Sequence, residues 1–235
     1  MKNNLKGIMK RITLVDPSWL AIWFVIYLVF LTLDLFMPHF WGATLMKYIG
    51  IFLVLVYTYQ KFPTDYLLIL ALLFTLLADT ILVWTNWEIP GVYCFCFAQF
   101  FHTARFTRSQ PKFLIFYFMA VFLIFIFAIM QGVAPIYAIS TIYALSIIGN
   151  LILAITWYRH DKTNFHARCA LIGFALFLAC DICVGAQHLM LDGIFATNFL
   201  PLVSYCVWLF YYPSQVLISN SSNVDAKHPL PKKAP

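Results

Sequence analysis

Residues 66–85 read YLLILALLFTLLADTILVWT, an apolar run interrupted by a single carboxylate at Asp79. As a helix rising about 1.5 Å per residue it spans roughly 30 Å, the thickness of a bilayer's hydrocarbon core. Similar apolar runs occur at 19–37, 41–59, 90–107, 113–130, 133–157, 167–190 and 197–219. The chain is 63% hydrophobic and 10% charged, against roughly half and a quarter in soluble domains. The sequence therefore predicts an all-α fold, a polytopic membrane bundle of about eight transmembrane helices.

The connections are short and carry turn residues such as Pro38, Pro63, Pro90, Pro111, Gly132 and Gly193, so consecutive helices should be antiparallel neighbours. Cations sit at alternate ends. Lys2, Lys6, Lys10 and Arg11, then Lys61, then Arg105, Arg108 and Lys112, then Arg159, Lys162 and Arg168, and finally Lys227, Lys232 and Lys233 fall on one side. The connections around Pro38, Trp87, Gln131 and Asp192 carry neither Lys nor Arg. By the positive-inside rule both termini are cytoplasmic. Three regions follow: a cytoplasmic segment over 1–18, a transmembrane domain over 19–219, and a polar tail over 220–235 that cannot bury enough apolar surface to order itself. The first run is as long as a full span and no cleavage site follows it, so it should stay as a helix. The net charge of +6 is accounted for by cytoplasmic ends beside anionic lipid, which makes membrane lipids the partners and a nucleic acid unnecessary. The length and simple loops suggest a bacterial inner-membrane protein. The six cysteines all fall within or beside apolar runs and read as small packing residues.

With the loops set aside, the ionisable residues inside spans are Asp34, Lys47, Asp79, His102, Asp181 and His188. A central Asp or Lys costs about 2.5 to 3.5 kcal/mol on insertion scales, so such residues face the bundle interior or a wet cavity. Asp79 and Asp181 fall about 20 Å from the cytoplasmic side, and Lys47 about two turns below the outer surface. Asp34 lies within a turn of its helix end, in reach of headgroup water, and His188 reads as interfacial. His102 falls near the middle of the fourth span, which predicts one shared cavity in the outer half. Polar stripes support interior faces: Thr75 one turn before Asp79, Gln99 three residues before His102, and Ser204, Trp208, Tyr211 and Gln215 along the last span. Within that cavity the aspartates pair with Lys47 or His102 as fasteners, or serve chemistry.

LLFTLLADTIL at 72–82, GVYCFCFAQFFHTARF at 91–106, GFALFLACDICV at 173–184 and WLFYYPSQVLIS at 208–219 together resemble, in order, the segments of the lysoplasmalogenase or YhhN-like family of polytopic membrane proteins. Ala78 stands where the family's third-helix element carries Gly before Asp, and Cys180 where a later element usually carries Ser before Asp. Lys47 fits an early intramembrane Lys, and the resemblance covers about 42–219. It implies a hydrolase that cleaves the vinyl ether bond of a lysophospholipid substrate, releasing a fatty aldehyde and a glycerophospho-alcohol, without a cofactor or metal. It further implies Asp79 and Asp181 as the acid and base, His102 as an orienting or proton-relaying group, Lys47 as a partner of a carboxylate or of the substrate's phosphate, and Tyr211, Tyr212 and Gln215 as pocket walls. Vinyl ether hydrolysis runs through an oxocarbenium-like cation, and two carboxyls divide that work in glycosidases.

Two other classes fit an intramembrane Asp, His and Lys set. One is a proton-coupled small-molecule transporter, for which the spacing of Asp79 and Asp181 on the third and seventh spans suits parallel four-helix repeats. The other is a non-catalytic lipid-binding membrane protein in which the polar cluster is structural.

Overall fold

The computed structural model describes residues 16–37, 40–85, 87–108 and 111–222. Eight α-helices occur among them: α1 Pro17–Phe36, α2 Trp41–Lys61, α3 Tyr66–Trp84, α4 Glu88–Phe106, α5 Pro111–Met130, α6 Pro135–His160, α7 Phe165–Leu191 and α8 Leu200–Ser219, the last preceded by a 3-10 turn at Thr197–Phe199. Each boundary falls within three residues of the apolar run that predicted it. Six of the eight are long and apolar enough to cross a membrane; α4 and α8 are not. Those two hold Gln99, His102 and Arg105, and Ser214 and Gln215, on buried faces. Helices that spend polar residues on neighbours rather than on lipid lower their own hydropathy. The cations of 1–15 and the lysines of 223–235 lie outside the described residues.

Local chemistry sets the ends. Asp16 caps α1 by accepting from the Ser18 N–H at 3.0 Å ahead of Pro17, and this bond holds its carboxyl below the usual carboxylate range. Asn164 caps α7 through the Ala167 N–H at 3.1 Å. Gly132 and Gly193 take φ of 72° and 76°, which lets the residue after each return a hydrogen bond to the carbonyl five back, Val133 to Ala128 and Ile194 to Leu189. A side chain there would meet the left-handed penalty that glycine avoids.

α8 lies against α1, α2, α3 and α7, while α4 is flanked by α3 and α6. α5 packs against α6 and α4 and buries none of its described residues. Pro213 lies inside α8 and lacks the N–H that would bond the Leu209 carbonyl. Tyr27 of α1 supplies the missing donor, its hydroxyl 2.9 Å from that oxygen.

The tail boundary set at 220 moves. Asn220, Ser221 and Ser222 are buried and are held by side chains from four other segments. Tyr57 donates to Asn220 Oδ1 at 2.8 Å, His166 Nδ1 meets the Asn220 carbonyl at 2.7 Å, Arg105 donates to the Ser221 carbonyl and hydroxyl at 3.1 and 3.0 Å, and Ser222 donates to Asp65 at 2.9 Å. These three residues follow the last apolar turn and look like the start of a solvated tail, but their polar groups complete a buried network. It gathers the ends of α2, α4 and α8 and the starts of α3 and α7 into one basic end of the bundle.

Candidate functional site

Asp79 on α3 and Asp181 on α7 both point inward, toward the opposite end of the bundle from that network. Tyr211 of α8 donates to Asp79 Oδ2 at 2.5 Å. Tyr143 of α6 donates to both oxygens of Asp181 at 3.2 Å. Four rings link the two tyrosines in an unbroken series: Phe177 against Tyr211 at 5.8 Å between centroids, Phe95 against Phe177 at 6.3 Å, and Phe95 against Tyr143 at 5.4 Å.

Lys47 binds neither aspartate of that pair. It meets Asp34 of α1 at 2.5 Å, and its ammonium lies 4.5 Å from the centroid of Trp208. The expected pairing with Asp79 or Asp181 does not form because the packing of α1 on α2 brings Asp34 to Lys47 instead. Trp208 nevertheless ties the ion pair to the aspartates, since its ring also packs edge-on against Tyr211 at 5.4 Å.

His102 is not brought to the aspartates. Phe95 is the α4 residue level with Tyr143 and Phe177, and His102 lies seven residues further along, about 10 Å nearer the basic end. Its ring packs edge-on to Phe174 at 5.1 Å, its charged neighbour is Arg105, and neither ring nitrogen has a protein hydrogen-bond partner. Tyr212 also turns away from Asp79, because adjacent residues on a helix point about 100° apart. Its ring stacks on Tyr27 at 5.7 Å, meets Phe30 at 5.3 Å and covers Gly50. Gln215 is fully buried one turn below Tyr211 and reaches Ser214 at 3.3 Å. Thr75 spends its hydroxyl on the Ala71 carbonyl of its own helix at 3.0 Å.

Three groups escaped the sequence. Tyr143 reads as one more aromatic in an apolar run, yet it begins a stripe with Ser146 and Asn150 at helical spacing that marks an inward face. Asn150 donates to Gln99 and accepts from Thr103, clasping α6 to α4. Arg105 reads as a loop cation, but it is 1% exposed and, beyond its bonds to Ser221, attracts Asp65. Two apolar cavities of about 250 and 320 Å³ lie under α5 and share Tyr117, Val121 and Ile142. Their walls hold no carboxylate and no cation, so they are not where acid–base chemistry would occur. Among the described residues no three His, Cys, Asp or Glu side chains are grouped to hold a metal.

A model of the YhhN family matches residues 42–222. The chain belongs to the YhhN family. The match takes in α2 through α8 together with Asn220, Ser221 and Ser222, so both aspartates, both tyrosines that hold them and the basic-end network are family territory. α1 precedes it, and Tyr27 and Asp34 are supplied from outside the matched residues. No curated protein and no solved structure matches the chain.

Proposed function

We propose that this YhhN-family protein is a membrane-embedded hydrolase that cleaves the vinyl ether bond of a lysophospholipid by acid–base catalysis with Asp79 and Asp181. The observation that supports this reading most is that two carboxyls on α3 and α7 are each held by a tyrosine hydroxyl, and that these two tyrosines are joined through Phe177 and Phe95.

The chemistry needs a proton donor, a base and a water. One carboxylic acid gives its proton to the alkene carbon remote from the ether oxygen, leaving a cation shared between the adjacent carbon and that oxygen. The other carboxylate takes a proton from water as the water oxygen bonds to that carbon. The resulting hemiacetal loses its glyceryl oxygen, which leaves as the alcohol with a proton returned by the carboxylic acid, and its hydroxyl proton passes to the carboxylate freed in the first step. The products are a fatty aldehyde and a glycerophospho-alcohol. Phe177, Tyr143 and Tyr211 would stabilise the cation through their ring faces, and the tyrosine hydroxyls would fix each carboxyl's direction. Lys47 would meet the substrate's phosphate, and Gln215 would close the floor beneath Tyr211. His102 lies two turns below the reacting level and takes no direct part. In this reading the basic end faces the cytoplasm, and the aspartates open toward the outer leaflet of a bacterial inner membrane.

Purified protein supplied with a lysoplasmalogen and, separately, with an ester lysophospholipid separates the possibilities. Aldehyde released from the first, no fatty acid from the second, and loss of the aldehyde in Asp79→Asn and in Asp181→Asn are the expected results. Aldehyde release that survives both substitutions would end the reading. No turnover of either lipid would leave the Tyr–Asp pairs as helix fasteners in a lipid-binding protein.

A further inference from the structure

α5 has a mean hydropathy of 2.9, the highest of the six apolar spans, yet it is not pressed flat onto its neighbours. Large side chains hold it off. Phe118 meets Phe100 of α4 at 4.8 Å between centroids. The Tyr117 hydroxyl donates to Ser146 of α6 at 2.5 Å, because Ser146 spends its own proton on the Ile142 carbonyl at 2.7 Å. Small residues leave room beside these pillars. A Cβ on Gly149 would meet nothing within 4 Å, and Gly149 and Ala120 line the same cavity.

The two cavities under α5, of about 250 and 320 Å³, adjoin across Tyr117, Val121 and Ile142 and together make a long apolar slot. On α6 its lining runs from Leu153 to Ile139, and on α5 from Phe113 to Phe125, which is about 18 to 21 Å of helix rise. An apolar space of this size stays dry and takes apolar ligands. Its shape fits a hydrocarbon chain lying along the bundle axis.

Charge sets which way such a chain lies. Lys112 immediately precedes Phe113 at the slot's basic mouth, and Arg108 ends the neighbouring α4 at the same level, its guanidinium 5.0 Å from the Tyr66 ring. Both are exposed. The other mouth, beside Tyr93 and Phe125, faces connections 85–90 and 131–134, which hold Glu88 and neither Lys nor Arg. A phosphate therefore belongs at the basic mouth, with its chain running away from it. A lysolipid in that pose would carry its ether bond near Leu153. Tyr143, which holds Asp181, lies ten residues further along α6, about 15 Å away. The pose suits a lipid that is not being cleaved.

We propose that the slot holds one acyl chain of a diacyl phospholipid drawn from the leaflet at the basic end, with its phosphate at Lys112 and Arg108. The lipid completes the packing of α5 against α4 and α6. The hydrolase reading is not needed for this site.

The probe is diacyl phosphatidylglycerol with a photoactivatable diazirine midway along one chain, placed with the full-length protein in phosphatidylcholine nanodiscs. Adducts should concentrate on Ile142 and Ala120 in the slot over Phe116 and Phe127, which are 70% and 64% exposed and report ordinary surrounding lipid. Gly149→Leu fills the slot and should lower slot adducts by about tenfold or more while leaving those on Phe116 unchanged. Val121→Phe serves the same purpose if Gly149→Leu does not fold. Lys112→Gln and Arg108→Gln should each lower slot adducts by about fivefold. Diacylglycerol with the same diazirine, lacking the phosphate, should label the slot no better than phosphatidylglycerol labels the double variant. Even labelling of slot and outward residues, or slot adducts unchanged by both filling substitutions, would overturn the proposal. An alkyl-ether lysolipid that displaced the probe from Ile142 at equal concentration would give the slot to the substrate and also overturn it. So would α5-to-α5 crosslinks between two copies in place of lipid adducts.

Discussion

Adding one methyl group at Gly50 should destabilise this protein while the same change at two other helical glycines should not. A Cβ on Gly50 would sit 2.4 Å from Tyr212 Cε2 and 3.1 Å from its Cζ and hydroxyl oxygen. The nearest atom is about 1 Å inside an ordinary van der Waals separation, and the ring has nowhere to retreat, with Tyr27 stacked on it and Phe30 edge-on. Overpacking of this kind costs about 1 to 3 kcal/mol. Gly149 and Gly185 also lie within helices, but nothing lies within 4 Å of a Cβ built on either. Alanine there should be neutral or stabilising by up to roughly 1 kcal/mol, because glycine loses more backbone freedom on folding. The measurement is reversible unfolding of Gly50→Ala, Gly149→Ala and Gly185→Ala under one detergent condition. If Gly50→Ala matched the other two, Tyr212 would not be wedged on α2, and the placement of α8 against α1 and α2 would be wrong. Because Tyr212 adjoins Tyr211, Gly50→Ala should also lower any aldehyde release more than the loss of folded protein explains.

Tyr211→Phe removes the hydroxyl from Asp79 and Tyr143→Phe removes it from Asp181; each should cost about 1.5 to 3 kcal/mol in stability and lower turnover by at least tenfold, read as a fall in kcat with KM little changed. Removing residues 220–235 takes from Tyr57, His166, Arg105 and Asp65 their hydrogen bonds to Asn220, Ser221 and Ser222 and should cost about 3 kcal/mol or more, read as a fall in the unfolding midpoint. Tyr27→Phe exposes the Leu209 carbonyl opposite Pro213 and should cost about 1 kcal/mol; hydrogen exchange at the amides of α8 should rise on both sides of Pro213.

The helices were legible because span length and apolar composition are local properties, and α4 and α8 could be placed although their polar content keeps them from standing out on hydropathy. The inward facing of Asp79 and Asp181 was legible for a related reason: a carboxylate in an apolar run has few places to go. Partners were not legible. Lys47 was expected beside a deep aspartate, and only the packing of α1 on α2 shows that Asp34 reaches it first. Tyr143 was hidden because a tyrosine that donates to a carboxylate and a tyrosine that fills space have the same sequence signature. Arg105 and Asn220, Ser221 and Ser222 were misread together, as loop cation and loose tail, because each resembles solvent-facing sequence until the other is beside it. His102 was placed too near the aspartates because it was taken as mid-span, whereas it lies four residues from the end of α4 at Phe106, about two helical turns from the level of Phe95.

The hydroxyl of Tyr27 completes a hydrogen bond that Pro213 leaves open in another helix. Neither residue makes sense alone: without the proline the carbonyl would be claimed within its own helix, and without the phenol it would face the bilayer interior unsatisfied. The two positions are therefore coupled energetically, although one lies inside the family match and the other before it. A foreign first helix grafted onto this bundle without a donor at that spot should leave the carbonyl open, at a cost of about 1 kcal/mol.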